Sequence, residues 1–297
     1  MLFERQKLIL ALVDALGGDI GGLDFQKLLL LYCLEGAEPP PYEFVPYRFG
    51  GFSFTSYADK RRLIEKDFLA DESRAWKLTP AGKAVTVQES MRAMARQFSR
   101  RYEGLRGDAL VAETYRRHPY YAIRSEIAER LLDGDTESLS AIEAARQQKR
   151  NPGLCTIGYE GRSLEGYLNL LIGDGVTVLC DVRRNPLSRK YGFSKNTLMN
   201  GAAGVGIRYE HLPELGIASE ARRELRTKED YDTLFDAYTR ENLPKQVKTL
   251  TKIMGWIKEG EQVALTCYER LPEQCHRTCV AKALEQRFGK VCTPKYL

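Results

Sequence analysis

No apolar run in this chain is long enough to cross a bilayer. The longest, such as residues 28–34, fall far short of the roughly 20 residues a membrane helix needs. The opening segment, MLFERQKLIL, carries charges inside its apolar stretch and has no small-residue cleavage site, so it does not read as a secretory signal. These absences make a cytoplasmic location the expectation and give no reason to expect a membrane partner. A disulfide framework is missing too. The seven cysteines are an odd number spread from Cys33 to Cys292 along 297 residues, far from the dense pattern of a small secreted domain. Cys155, Cys180 and Cys292 lie in apolar runs, where a free thiol acts as a small hydrophobe. A strong charge of one sign is also lacking: the net +5 permits a polyanionic partner without requiring one.

Several chemical motifs can be excluded. A thiol phosphatase loop needs Cys, five residues, then Arg, and counting from Cys267 that position is Glu273. There is no Gly-Lys-Ser/Thr phosphate loop, and residues 201–206 (GAAGVG) lack the spacing and preceding strand of a dinucleotide fingerprint. Cys267, Cys275, His276 and Cys279 match no common zinc spacing, and Cys275 and Cys279 fall one helical turn apart. No metal and no cofactor are therefore expected. The chain shows no internal repeat and no low-complexity tract.

What is present divides into two parts, as the length suggests. Residues 4–16 and a stretch from about Asp24 to Cys33 carry apolar positions at helical spacing, with Gly17-Gly18 between them. A loop at Glu38-Pro39-Pro40-Pro41 leads to an aromatic segment, residues 42–54, interrupted by Gly50-Gly51. Residues 57–69 predict a helix and residues 76–83 a short strand and turn. Phe25-Gln26-Lys27-Leu28-Leu29, residues 44–53 and the Leu-Thr-Pro-x-Gly-Lys ending at Lys83 together resemble winged-helix-like modules found beside bacterial antitoxins and defence genes. The resemblance covers roughly residues 1–85, and it implies either DNA contact or a packing and homodimerisation module. Residues 86–150 read as a helical extension and linker. Within it, residues 115–121 mix arginines with tyrosines, a combination that holds nucleic-acid backbone or forms a packing seam. Residues 134–152 are polar and low in aromatics, so the domain boundary is placed there.

Residues 151–297 alternate strand and helix patterns. Strands are expected at residues 154–157, 176–182, 207–212, 263–266 and 291–293, with helical segments between them. This pattern predicts an α/β fold with a Rossmann-like, mostly parallel sheet covered by helices on both faces, preceded by the mainly helical module. The polar residues fall just after the strands: Gly158-Tyr159, Asp181, Arg183-Arg184, His211, Cys267-Tyr268-Glu269 and Cys275-His276-Arg277. In a parallel sheet those ends share one edge, so a cleft lined by Tyr159, Asp181, Arg183, Cys267 and His276 is expected. Thr156-Ile157-Gly158-Tyr159, then Asp181-Val182-Arg183 with Pro186 and Ser188, then Cys267 with Cys275-His276-Arg277, resemble the domain-of-unknown-function family numbered four-eight-eight. The resemblance spans most of residues 153–290 and implies an α/β fold with these positions around a pocket, but no settled reaction.

The chemistry must then come from the residues. Asp181, Cys267 and His276 are the catalytic candidates: an acid or base at a strand end, a nucleophile if its surroundings favour the thiolate, and an acid/base or capping group. Tyr159, Arg183, Arg184, Arg189, Lys190 and Arg277 are candidates for holding phosphate, since guanidinium groups bind it through paired hydrogen bonds. The alternative for Arg183 is an internal pair with Asp181 or Glu269. Three readings follow. The leading one is an enzyme on nucleic acid or a nucleotide in genome defence, cleaving a glycosidic bond through Asp181 with arginines holding the phosphate. The second is a non-catalytic DNA-binding or nucleotide-sensing regulator, and the third a cysteine-dependent enzyme on a small anionic substrate.

Overall fold

The computed structural model describes residues 1–36, 39–146, 152–218, 221 and 225–297. Glu38 of the proline loop and residues 147–151 of the expected linker lie outside the described residues. The chain separates into two compact units, Met1–Arg146 and Gln147–Leu297.

The first unit is helical with two small antiparallel ribbons. Helices α1 (Glu4–Ala15) and α2 (Gly22–Glu35) bury the apolar faces their spacing defines, and Ile9, Leu12, Val13, Phe25, Leu28 and Leu29 belong to one core cluster. The N-cap position of α2 is Gly21, and Asp24 lies in its first turn, where its carboxylate accepts the Gly107 N–H at 2.8 Å. Strand β1 (Asp19–Gly21) lies between α1 and α2 in the chain, β2 (Val45–Tyr47) and β3 (Gly50–Phe52) form the aromatic hairpin, and α3 (Phe54–Glu65) and β4 (Ala75–Lys77) follow. β4 pairs antiparallel with β1 and buries Trp76 against Phe25, with ring centroids 4.3 Å apart. The Leu-Thr-Pro-x-Gly-Lys stretch does not form a β turn. Thr79 caps one helical turn, α4 (Pro80–Lys83), through the Gly82 N–H.

The segment expected to be helical from 87 to 135 is broken into α5 (Glu89–Arg101), α6 (Gly107–Arg117), a 3-10 turn at Pro119–Ala122 and α7 (Ala128–Leu131). Gly104 and Gly107 take positive φ, and Pro119 starts the turn, so the helical periodicity is cut at those points. Residues expected to be linker instead form α8 (Thr136–Ala145), capped by Asp135 and anchored by buried Ile142. Among the described residues no helix is long and apolar enough to cross a membrane.

The second unit is a five-stranded, wholly parallel sheet in the order β7-β6-β8-β5-β9. Its strands are β5 (Gly153–Gly158), β6 (Val178–Asp181), β7 (Arg208–His211), β8 (Gln262–Cys267) and β9 (Lys295–Tyr296). The helices are α9 (Leu164–Gly173), α10 (Lys195–Gly204), α11 (Lys228–Ala237), α12 (Val247–Lys258) and α13 (His276–Phe288). β8 is central, and all six of its residues are buried, which explains its unbroken apolar run. Residues 291–293 are not the last strand. Lys290–Cys292 is a 3-10 turn that buries Cys292, and the edge strand starts at Lys295. Because β8 returns between β5 and β6, the carboxyl ends of these three strands lie side by side, with Gly158 opposite Cys267 and Asp181 opposite Thr266.

One buried charge in the first unit yields a pH prediction. Burial pulls the Lys27 amine down from its ordinary 10.5 to about 7, and the amine donates a hydrogen bond to the Gly51 carbonyl at 3.1 Å. The unfolded chain then holds more protons than the folded one between about pH 7 and 10.5, so stability rises with pH across that window. Lys27→Met is expected to stabilise the protein by a few kcal/mol, on the order of the shift at about 1.4 kcal/mol per unit. Denaturant unfolding at several pH values should show the gain largest near pH 6–7 and shrinking towards pH 10. A gain that does not change with pH would contradict it.

Candidate functional site

A cleft of about 280 Å³ opens over the carboxyl ends of β5, β6 and β8. It is lined by Tyr159, Arg183, Arg184, Asn185, Leu187, Ser188, Arg189, Ile217, Cys267, Tyr268 and His276. Four of the five residues expected there, Tyr159, Arg183, Cys267 and His276, do line it. Asp181 does not.

Asp181 is fully buried beneath the cleft, and its carboxylate is taken up by the protein. One oxygen accepts the Arg183 Nε at 2.8 Å and the Arg183 backbone N–H at 3.1 Å. The other accepts Arg183 Nη2 at 2.5 Å and the Tyr209 hydroxyl at 2.6 Å. Arg183 Nη1 also donates to the Tyr159 hydroxyl and the Phe193 carbonyl, both at 2.9 Å. Burial works against the Arg183 charge, but the Asp181 carboxylate outweighs it and holds the guanidinium above its ordinary range. Burial, then the same carboxylate, likewise pushes the Tyr209 phenol up. Arg183 is thus the cleft's fixed floor, with its charge neutralised by Asp181. The Tyr159 ring stacks on Phe193, 4.3 Å away and 7° from parallel, and meets Tyr268 edge-on. His211 also serves this floor, donating from Nε2 to the Arg183 carbonyl at 2.9 Å.

The rim is different in kind. Arg184 and Arg189 are exposed and belong to the loop after β6, with Asn185 and Ser188 beside them. Lys190, on the same loop, does not line the cleft, and its amine lies 5.9 Å from the Phe193 ring. Arg277 is also turned away. It is buried at the start of α13 and donates to the Glu269 and Arg270 carbonyls. It therefore clamps the loop that follows Cys267 and offers nothing to a ligand in the cleft. The clamp works at close quarters: a Cβ on Gly158 would sit 1.8 Å from the Glu269 carbonyl oxygen, so only glycine fits at the end of β5.

Between floor and rim lies the reactive corner. Cys267, the last residue of β8, places Sγ 3.7 Å from Nδ1 of His276, the first residue of α13. The other ring nitrogen, Nε2, is 3.0 Å from the Val182 carbonyl. A carbonyl only accepts, so Nε2 carries the proton and the Nδ1 lone pair of the neutral ring faces the thiol. Cys267 Sγ also donates to Glu269 Oε2 at 3.3 Å, which gives its proton two acceptors within reach. Cys275, which caps α13, brings its Sγ within 4.0 Å of the same Nδ1. Burial, then the neighbouring Cys267, pushes the Cys275 thiol well up. The donor atoms of Cys267, Cys275 and His276 all lie within 4.8 Å of one another. Cys279, the fourth donor considered from the sequence, is not in this group. Sequence spacing set Cys267, Cys275, His276 and Cys279 aside as a metal site, because the nearness of Cys275 to Cys267 depends on the loop folding back. All seven cysteines are free.

A parallel sheet with a cleft over its switch point defines a Rossmann-like α/β domain. Residues 163–284 match the model of the family described as domain of unknown function DUF488. Neither a curated protein nor a solved structure matches the chain.

The Asp181–Arg183 pair can be tested by substitution. Asp181→Asn or Arg183→Met alone leaves a buried charge without its partner and is expected to destabilise by about 3–5 kcal/mol. The double variant Asp181→Asn with Arg183→Met should recover much of that loss, giving a coupling energy well above zero in a double-mutant cycle. Additive losses in denaturant unfolding would mean that the pair does not hold the floor.

Proposed function

We propose that the C-terminal unit is a cysteine-dependent enzyme acting on a small anionic substrate. The observation that carries this reading is the Cys267–His276 pair in the cleft, with the His276 tautomer set by the Val182 carbonyl. His276 Nδ1 takes the thiol proton as Cys267 sulfur bonds to an electrophilic centre of the substrate, and then returns it to the leaving group. The exposed guanidinium groups of Arg184 and Arg189 suit a carboxylate or phosphate on that substrate, and nucleotides fall within the class. A glycosidic-bond reading through Asp181 has less support, because that carboxylate is enclosed by Arg183 and Tyr209.

Selective alkylation tests the reading on the full chain after treatment with a chelator. Iodoacetate should label Cys267 ahead of the other six cysteines, and faster than neutral iodoacetamide does once their intrinsic rates are allowed for. Arg184→Ala with Arg189→Ala should remove that preference for the anion, and His276→Asn should slow both reagents about 100-fold or more, the scale of a lost general base. Peptide mapping by mass reads all three. Labelling of Cys267 no faster than that of strand-buried Cys180 would overturn the proposal.

A further inference from the structure

We propose that Cys267, Cys275 and His276 form a binding site for one soft divalent cation of the zinc type, and that the ion shuts off the thiol. Three donors converge there although the sequence separates Cys267 from the other two. His276 Nδ1 lies 3.7 Å from Cys267 Sγ and 4.0 Å from Cys275 Sγ, and all three donor atoms fit within 4.8 Å. A tetrahedral zinc ion has bonds of about 2.3 Å to sulfur and 2.0–2.1 Å to nitrogen, which puts sulfur and nitrogen about 3.6 Å apart. The nitrogen–sulfur distances need only close by a few tenths of an ångström, and the two sulfurs, within 4.8 Å of one another, must come to about 3.8 Å.

The surroundings point the same way. A histidine that binds a metal through one ring nitrogen almost always donates the other N–H to a carbonyl or carboxylate. His276 does this to Val182, leaving Nδ1 directed at both sulfurs. Two thiolates and an imidazole select zinc-like ions over magnesium or calcium. The Glu269 carboxylate, 3.3 Å from Cys267 Sγ, adds a further charge that favours a cation. Cys267 and His276 both line the cleft, so the fourth position opens onto it, as in three-ligand zinc sites. On binding, two S–metal bonds and one N–metal bond form, each thiol gives its proton to solvent, and no electrons are transferred.

The ion would hold the Cys267 sulfur and occupy His276 Nδ1, the two atoms the thiol chemistry uses. The metal site stands on its own donors, whereas its inhibitory effect rests on the cysteine-enzyme reading. Cys275 separates the two, because the metal needs it and the nucleophile does not.

The experiment titrates the reduced, metal-stripped full chain with cobalt(II) and then displaces the cobalt with zinc. We expect one ion per chain, a thiolate-to-cobalt charge-transfer band, and visible bands of tetrahedral cobalt. Cys275→Ser and Cys267→Ser should each weaken binding by more than about 100-fold, beyond the 10–100-fold scale of a lost supporting group. Cys279→Ser, on the same helix but outside the donor set, should bind like wild type. Zinc should block iodoacetate labelling of Cys267 in wild type but not in Cys275→Ser. Absence of a thiolate–cobalt band in wild type, or undiminished binding by Cys275→Ser, overturns the metal site. If the metal site fails in this way while Cys267 keeps its His276-dependent labelling, the enzyme reading survives. If the ion binds but stripped Cys267 is inert, the metal site stands and its inhibitory role falls with the enzyme reading.

Discussion

The ion pair between Asp181 and Arg183 is the constraint on which the cleft depends. Two charges removed from water are stabilised only when their geometry is good and their remaining donors and acceptors are used. Here Asp181 accepts from Arg183 and Tyr209, while Arg183 also donates to Tyr159 and Phe193. The network reaches the residue after β5, the end of β6, a residue of β7 and the loop that precedes α10. It therefore ties the paired strands β6 and β7 to the residue after β5 and to the loop before α10. It also cancels charge at the floor, so positive potential for an anion comes from the exposed rim at Arg184 and Arg189. A deep cationic pocket would attract an anion more strongly but would need a counter-charge of its own.

Much of the second unit can be read from composition alone, because a central parallel strand is buried on both faces and must be apolar throughout. β5, β6 and β8 show this as unbroken runs, and the gathering of polar residues at their ends follows from the parallel arrangement. The helices α9, α12 and α13 are legible by their spacing for the same reason. What periodicity does not report is competition by local backbone effects. Gly104, Gly107 and Pro119 break the helical stretch after residue 87, and Thr79 closes a helical turn where a strand turn was expected. The two-residue strand β9 is too short to carry a pattern, and the apolar residues before it serve a 3-10 turn.

The roles within the site were harder to read than their positions. A carboxylate at a strand end has the same sequence signature whether it faces a ligand or an arginine two residues later, since strand alternation puts residues i and i+2 on one side. Asp181 and Arg183 have that spacing. Arg277 reads as a phosphate ligand because it starts a helix, but its fork fits the two successive carbonyls of Glu269 and Arg270. A guanidinium used in this way sets the path of the loop rather than the affinity of the cleft.

That clamp bears on why Cys267 and His276 meet. Zinc and catalytic motifs recognised by spacing depend on short local turns, in which a few residues fix the distance between donors. Between Cys267 and His276 the chain makes an excursion through Leu271 and Pro272, and its length alone sets nothing. The distance is set from both sides. Parallel pairing of Gly158 with Cys267 fixes the sulfur at the sheet edge, and the absent side chain at Gly158 lets Glu269 pass close over it. Arg277 then draws the Glu269 and Arg270 carbonyls onto the first turn of α13, while the Val182 carbonyl, one residue beyond β6, orients the His276 ring. The thiol–imidazole contact is thus held by the backbone of three strands and one helix rather than by the loop between its partners. In such a frame the loop sequence can vary while the pair keeps its geometry, provided Gly158 and Arg277 remain.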